Sequence, residues 1–202
     1  MELWFSEYHT PDVKYSIRVN RHLYSHQSEY QQIDIYDTPE FGRALVLDGN
    51  VMLTERDEFI YDEMITHVPM AAHPGIRDVL VIGAGDGGVV KELTRYTSIQ
   101  RIDLVEMDYQ VVEACRLYLP ENASKLDDER VHIYFDNALR FIRRCKDAYD
   151  LIIVDSMDPF GPSEGHFTRE FYGICYNALH DDGILVNQQG SPFYKHDADE
   201  IQ

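Results

Sequence analysis

An apolar run followed by a glycine-rich loop constrains the fold of this chain more than any other feature. Residues 79–82 read Val-Leu-Val-Ile, which is typical of a parallel strand covered on both faces. Residues 83–88 then read Gly-Ala-Gly-Asp-Gly-Gly and lead into an apolar helical stretch. A strand, a Gly-x-Gly-x-x-Gly loop and a helix in this order are typical of a nucleoside-binding unit in a doubly wound sheet.

The rest of the chain repeats the alternation of strand and helix. We predict further strands over 102–106, 131–135, 151–154 and 184–186. Helices are predicted between them, at about 89–96, from 109 to before 120, at 138–145 and at 168–179. Five strands with interleaved helices indicate an α/β fold with a doubly wound sheet.

The first fifty residues have a different pattern, typical of short antiparallel strands. Apolar residues alternate with polar ones over 15–19 and 33–35, and Asp48-Gly49 is a hairpin-type turn between two apolar runs. We therefore predict a small β-domain over residues 1–54. A helix is expected from about 57 to 73, where Pro69 would kink or end it. Ile60, Met64, Val68 and Ala72 follow at i, i+4 spacing and form the apolar line of this helix.

Composition excludes several classes of protein. There are 18 basic and 36 acidic residues, a formal net charge of −18, so phosphate backbones and anionic membranes would be repelled. No apolar run approaches the roughly 20 residues that cross a bilayer, and the N-terminus lacks the regions of a secretory signal. The three cysteines are widely spaced and match neither a zinc site nor a dense disulfide framework. We expect a cytoplasmic protein that binds neither nucleic acid nor membrane.

Two acidic residues near the glycine loop indicate which ligand it binds. Glu106 ends the next predicted strand, about twenty residues on, where a carboxylate can accept both hydroxyls of a ribose. Asp86 lies within the loop, where it would repel the pyrophosphate of a dinucleotide and attract a sulfonium or an ammonium. The loop therefore favours S-adenosylmethionine or its decarboxylated form over NAD or ATP. The alternative is that the glycines are ordinary turn residues and Glu106 a solvated strand end.

A second pair of carboxylates follows the fourth predicted strand. Asp155 and Asp158 are three residues apart, in a loop stiffened by Pro159 and Pro162. Ligands of doubly wound sheets bind outside the carboxyl ends of the strands, so these side chains are expected beside the same ligand. Together they can hold an amine and accept its proton. The alternative for either residue is an Asx-turn or a helix cap.

These blocks, in this order, resemble the spermidine synthase (polyamine aminopropyltransferase) family in its bacterial form. The motifs that carry the resemblance are Leu47-Asp48-Gly49, Thr54 to Phe59, Gly83 to Gly88, Val105 to Asp108 and Asp155 to Pro162. The resemblance implies an oligomerising β-domain, a homodimer or homotetramer, and a Rossmann-like, methyltransferase-type catalytic domain over 55–202. It implies aminopropyl transfer from decarboxylated S-adenosylmethionine to putrescine, giving spermidine and methylthioadenosine, with no metal or redox cofactor.

The resemblance also implies roles for single residues. Asp86 would bind the aminopropyl amine of the donor, and Glu106 the ribose hydroxyls. Asp155 would be the general base or would orient the attacking amine. Asp158 would help to hold the diamine, with Tyr61 alongside it.

Four further residues match positions that line the site in relatives. Gln31 and Gln188 match two glutamines of the site. Gly83 and Gly85 belong to the loop against which the donor is expected to lie.

The chain departs from the family pattern in two places. Where relatives carry an Asp-Gly pair that accepts from the adenine amino group, this chain has Asn137-Ala138, with Asp136 just before. Either the Asn137 amide oxygen or Asp136 is expected to take that bond. The chain also ends soon after the fifth predicted strand, so we expect a catalytic domain without its C-terminal strands.

Two alternatives to the aminopropyltransferase remain open. An amine N-methyltransferase that uses S-adenosylmethionine would share the loop and Glu106, although Asp86 would lie near the donor's carboxylate. A catalytically weak, truncated paralogue would act as a binding or oligomerisation partner. The sequence leaves the acceptor open among putrescine, cadaverine and longer polyamines.

Overall fold

The computed structural model describes residues 2–155 and 168–189, and it begins with an antiparallel β-region. Its strands are β1 (Leu3–Thr10), β2 (Val13–Val19), β3 (Arg21–Gln27), β4 (Gln32–Thr38), β5 (Gly42–Leu47) and β6 (Asn50–Thr54). Strands β1 and β2 form a hairpin, and β3 to β6 form a four-stranded sheet in chain order. The predicted antiparallel strands are confirmed, and the structure adds two strands that the sequence pattern did not indicate, β1 and β3.

The second region alternates helices and strands, as predicted. Its helices are α1 (Glu58–Ala72), α2 (Gly88–Leu93), α3 (Tyr109–Tyr118), α4 (Ala138–Ile142) and α5 (Arg169–Ala178). Its strands are β7 (Asp78–Gly83), β8 (Arg101–Glu106), β9 (Val131–Phe135), β10 (Tyr149–Asp155) and β11 (Leu179–Asn187). Helices α2 and α4 end earlier than predicted. Among the described residues, no helix is long and apolar enough to cross a membrane.

The order of the parallel strands creates the crevice that a ligand needs. The sheet runs β11-β10-β7-β8-β9, with all neighbours parallel. The chain moves outward from β7 in one direction through β8 and β9, then returns to the other side of β7 with β10. In such sheets, ligands bind where the strand order reverses, at the carboxyl ends. Here that point lies between β7 and β10.

The central strand β7 is buried on both faces, which explains its continuous apolar sequence. Val79 and Val81 belong to one core cluster, beneath α1, α2 and α3. Leu80 and Ile82 belong to a second cluster, in which Phe171 of α5 is also fully buried. Because neighbouring residues point to opposite faces, β7 links two hydrophobic layers and fixes the position of the loop that follows it.

Helix α1 packs with a different face from the one that its hydrophobic spacing predicts. The apolar line is exposed: the exposed fraction is 58% for Ile60, 61% for Met64 and 56% for Val68, and Ala72 is also exposed. The residues that pack inward are Asp62, Ile65, Thr66, Pro69 and Met70. Pro69 lies inside the helix without ending it. The apolar spacing does not locate the inward face, because that face also carries polar residues, and Asp62 packs against Gly88 at the start of α2.

Candidate active site

Three strand ends bring the predicted residues to one edge of the sheet. Gly83 at the end of β7 is paired with Asp155 at the end of β10, and the Ala84 N–H donates to the Asp155 carbonyl at 3.2 Å. Glu106 ends β8, the neighbour of β7 on the other side. The glycine loop therefore lies between two carboxylates, at the point where the strand order reverses.

The loop needs glycine for two different reasons. Gly83 and Gly87 have φ values of 79° and 93°, which an L side chain rarely adopts, and Ala84 between them has φ 58°. Gly85 is required by space: a Cβ there would lie 2.7 Å from Oε2 of Glu106. The loop thus turns sharply and lets the Glu106 carboxyl group approach its backbone.

Backbone N–H groups hold two carboxyl groups of this region, that of Asp86 within the loop and that of Glu106 beside it. Asp86 Oδ1 accepts from the Gly88 N–H at 2.8 Å, and Glu106 Oε1 accepts from the Asp108 N–H at 2.9 Å. Burial raises the pKa of Asp86, and it raises the pKa of Glu106 to about 7 although the backbone N–H groups of Met107 and Asp108 lower it. Both groups are therefore oriented before any ligand binds, and their ionisation is sensitive to a nearby cation.

Asp155 is the centre of a second hydrogen-bonded group. The Tyr61 hydroxyl lies 2.5 Å from Asp155 Oδ1 and 3.3 Å from Gln188 Oε1, and its one proton goes to the closer carboxylate. Burial and the Asp86 charge together raise the pKa of Asp155 to about 7, although the Tyr61 hydrogen bond lowers it. Burial and the Asp155 charge also raise the pKa of Tyr61, so the phenol stays neutral.

Gln31 reaches the same edge from the antiparallel region. Its Nε2 donates to Asp108 Oδ2 at 3.2 Å, and the Ser28 hydroxyl donates to the same oxygen at 2.6 Å. Asp108 also caps α3 by accepting from the Gln110 N–H at 3.0 Å. Gln31 therefore lies close to the end of β8, attached to the residue that holds Glu106.

Asp136 and Asn137 follow β9, at the far end of the same edge, and both have partners within the chain. Arg140 Nε lies 2.6 Å from Asp136 Oδ1, and Arg144 Nη2 lies 2.9 Å from Asp136 Oδ2. The Asn137 amide oxygen accepts from the Arg140 N–H at 3.1 Å and caps α4. Asp158, the remaining predicted residue, lies outside the described residues.

Two acidic residues of α1 belong to this site and were missed by the sequence analysis. The exposed fraction of Asp62 is 5%, and burial raises its pKa to about 10, with contributions from Glu58 and Asp86. Glu58, one turn earlier, accepts from Lys91 Nζ at 2.8 Å. The signal was present in the spacing: Glu58, Asp62 and Thr66 are four residues apart and share one helix face.

Apart from Glu58, which pairs with Lys91, the acidic groups of this edge lack a matching cation among the described residues. Within residues 2–155 and 168–189, no Lys or Arg forms an ion pair with Asp62, Asp86, Glu106 or Asp155. Raised pKa values are the expected consequence of placing like charges together in a partly desolvated site. Such a site is suited to a ligand that carries positive charge next to a nucleoside.

The chain matches two family models that together cover almost its whole length. The Spermine/spermidine synthase domain matches residues 58–200, and the Spermidine synthase tetramerisation domain matches residues 3–55. The polyamine aminopropyltransferase of Lachnoclostridium phytofermentans is 61% identical over 202 residues, covering 100% of this chain and 71% of that protein. That of Clostridium botulinum strain Alaska E43 is 62% identical, covering 97% of this chain and 69% of that protein.

Solved structures with the same fold include two spermidine synthases. A spermidine synthase in complex with the transition state analogue AdoDATO superimposes with a TM-score of 0.93 at 43% identity, covering 96% of this chain and 67% of that one. The enzyme from Thermotoga maritima gives 0.91 at 42% identity, covering 96% of this chain and 66% of that one. The similarity therefore extends over both the antiparallel region and the parallel sheet.

Proposed function

The chain belongs to the spermine/spermidine synthase family, and we propose that it transfers an aminopropyl group from decarboxylated S-adenosylmethionine to putrescine. The putrescine nitrogen attacks the carbon next to the sulfonium and forms a C–N bond. The C–S bond breaks, and its electron pair neutralises the sulfur, which leaves as methylthioadenosine. The nitrogen loses one proton, and spermidine results. The observation that carries the proposal is the group of unpaired carboxylates where the strand order reverses.

Asp155 is proposed to act on the attacking amine. An amine with a pKa near 10 is protonated at neutral pH and must lose a proton before it can attack. A carboxylate whose pKa is raised to about 7 is a better acceptor for that proton than an ordinary aspartate. The Tyr61 hydroxyl fixes the carboxylate at 2.5 Å, so the amine can be held in line with the C–S bond.

Asp86 and Glu106 are proposed to bind the donor. The Asp86 carboxylate would accept from the aminopropyl ammonium, and its hydrogen bond from Gly88 keeps it oriented. Glu106 would accept the ribose hydroxyls, beside Gly85. The positive charge on sulfur already makes methylthioadenosine a good leaving group. This chemistry therefore requires no resident metal or redox cofactor.

The acceptor and the adenine base are assigned to the two ends of the crevice. We propose that Asp158, with Tyr61 and Gln188, holds the diamine, and that Gln31 closes the nucleoside side near Glu106. Asn137 is proposed for the adenine amino group, since its carbonyl has a second lone pair besides the one that caps α4. Asp136 is proposed to position α4 through its arginines.

The antiparallel region is proposed to be the oligomerisation domain, over residues 1–54, ahead of a catalytic domain over 55–202. Its match to a tetramerisation domain supports this division, and its first hairpin exposes Trp4 and Tyr8 on one face. Large exposed apolar side chains in a group are typical of contact surfaces. We propose a homodimer or homotetramer that acts in the cytoplasm, where free Cys115, Cys145 and Cys175 are compatible with reducing conditions.

The proposal is tested by incubating the purified protein with decarboxylated S-adenosylmethionine and putrescine. We expect methylthioadenosine and spermidine in equal amounts. A methylated diamine formed from S-adenosylmethionine would instead identify the methyltransferase, and absence of methylthioadenosine would contradict the proposal. Cadaverine and spermidine, offered in place of putrescine, measure the preference for the acceptor.

A further inference from the structure

The inward face of α1 carries three polar side chains that end in unpaired buried atoms. Glu58 Oε2, Asp62 Oδ2 and Thr66 Oγ1 are each buried without a hydrogen-bond donor or acceptor among the described residues. A buried polar atom without a partner costs about 1–3 kcal/mol. Three such atoms on one helix face, at the edge of the candidate site, call for a physical reason.

A single proton accounts for two of the three atoms. Glu58 and Asp62 lie one helical turn apart on the same face and interact with each other, but two ionised carboxylates offer only acceptors, so a hydrogen bond between them requires one shared proton. Lys91 Nζ donates to Glu58 Oε1 at 2.8 Å, which favours the charge on Glu58 and the proton on Asp62. Asp86 and Asp155 face Asp62 from the glycine loop and from β10, and both oppose a negative charge there.

The Asp62 carboxyl group also packs directly against the glycine loop. A Cβ on Gly88 would lie 2.0 Å from Asp62 Oδ2 and 2.6 Å from its Cγ, so only glycine allows this approach. The Gly88 N–H is the group that holds Asp86 Oδ1. Lys91, on the next turn of α2, is held by Glu58. The pair therefore contacts α2 at two points, and one of them positions Asp86.

We propose that Glu58 and Asp62 form a proton-sharing carboxyl pair, which positions the Gly88 turn and thereby the Asp86 carboxylate that receives a cationic donor. The positioning half of this inference rests on the proposed function, whereas the shared proton is a property of the free protein. In this account Asp62 touches no substrate. It is neutral, and Glu58 carries the single negative charge opposite Lys91.

The shared proton is tested by infrared spectroscopy of the ligand-free protein at about pH 8. This pH lies above the pKa of about 7 of Asp155 and Glu106 and below that of about 10 of Asp62. We expect the carbonyl band of a protonated carboxylic acid that disappears in Asp62→Asn. Absence of the band, or a band whose intensity is unchanged in Asp62→Asn, overturns the inference. Neither result depends on catalysis.

The positioning role is tested with two substitutions at Asp62 and a matched control at Glu63 on the same helix. Asparagine is close to isosteric, and its amide can donate to Glu58 as the shared proton does. Asp62→Asn should therefore leave the KM for decarboxylated S-adenosylmethionine within about threefold. Asp62→Ala removes the donor and the contact with Gly88, so this KM should rise at least about tenfold, with kcat within about threefold.

The same measurements overturn the positioning role in two ways. If Asp62 were an ionised ligand of the donor, Asp62→Asn would raise KM as much as Asp86→Asn does. If Asp62 were merely structural, Asp62→Ala would lower the urea midpoint and leave KM unchanged. Glu63→Ala, which leaves the Glu58–Asp62 pair intact, should change neither the urea midpoint nor the KM. Should Asp62→Ala fail to fold, Asp62→Asn together with the infrared band still decides the inference.

Discussion

The carboxylates at the edge of the parallel sheet are of two kinds: one is paired with arginines, and the others have no cationic partner among the described residues. After β9, Asp136 contacts Arg140 and Arg144, and the Arg140 hydrogen bond lowers its pKa. At the ends of β8 and β10, Glu106 and Asp155 have no such partner among the described residues, and burial raises their pKa values to about 7. Arginines pair with Asp136, which holds helix α4, whereas no arginine among the described residues pairs with Glu106 or Asp155, where we propose that the cationic donor binds.

Asp128, outside the site, shows the paired arrangement most clearly. Arg130 donates to its carboxylate from Nε at 2.8 Å and from Nη2 at 3.0 Å, and these bonds lower the pKa of Asp128 to about 2. A net charge of −18 says nothing about which carboxylates are paired in this way. The comparison teaches that the local balance of charge distinguishes the site, and the predictions below test it by removing charges from each group in turn.

The largest effect is expected at Asp155. Replacement by asparagine removes the proton acceptor but retains the shape, and general acid–base catalysis is worth about 10²–10⁴-fold in rate. We expect Asp155→Asn to lower kcat at least about 100-fold, measured as methylthioadenosine release, with an unchanged circular dichroism spectrum. Glu113→Gln, which neutralises an exposed carboxylate of α3, is the control and should retain full activity. An Asp155→Asn enzyme with normal turnover would remove Asp155 from the mechanism.

The same substitution, Asp155→Asn, is expected to have a smaller effect on the free energy of unfolding, which it should increase whereas it lowers kcat. The folded-state pKa of Asp155 is raised to about 7, so the native state binds more protons than the unfolded chain above about pH 4. Its contribution to the free energy of unfolding therefore falls as the pH rises from about 4 through 7. Asparagine does not ionise, and one pKa unit corresponds to about 1.4 kcal/mol. Urea unfolding should show that Asp155→Asn gains roughly 1–3 kcal/mol more stability at pH 8 than at pH 5. An equal gain at both pH values would mean that Asp155 is not perturbed.

The smallest effect is expected at the paired carboxylate. Arg140 and Arg144 are largely exposed, and ion pairs with exposed partners contribute about 0.2–1 kcal/mol. Asp136→Asn should therefore lower the free energy of unfolding by less than about 1 kcal/mol and leave the donor KM within about threefold. A tenfold rise in that KM would show that Asp136, and not Asn137, recognises the adenine base.

The sheet and its loop were predictable from sequence because each depends on local chemistry. A strand buried on both faces must be apolar throughout, as in residues 79–82. Glycine is favoured where φ is positive, as at Gly83 and Gly87, and where a carboxyl group packs against the backbone, as at Gly85. The strand ends that follow such a loop determine where Glu106 and Asp155 lie. The fold and these positions therefore followed from periodicity and turn chemistry.

Helix α1 was not predictable in the same way, for a reason that concerns function. Hydrophobic spacing places Ile60, Met64 and Val68 inward, but the face that packs carries Asp62 and Thr66. Burying polar groups conflicts with local preference, and such conflicts concentrate at functional sites. Polar residues at i, i+4 and i+8 were visible in the sequence, yet only the approach of α1 to Gly88 shows what they contact.

The central claim is that the unpaired carboxylates recognise the positive charge of the donor, and calorimetry tests it most directly. Decarboxylated S-adenosylmethionine and methylthioadenosine share the nucleoside, but only the former carries a sulfonium and an ammonium. At low ionic strength, where screening is weak, we expect the cationic ligand to bind at least about tenfold more tightly to the wild-type protein. Asp86→Asn should reduce this difference, whereas Glu113→Gln should leave it unchanged. Equal affinities for the two ligands, or a difference that survives Asp86→Asn, would contradict the account.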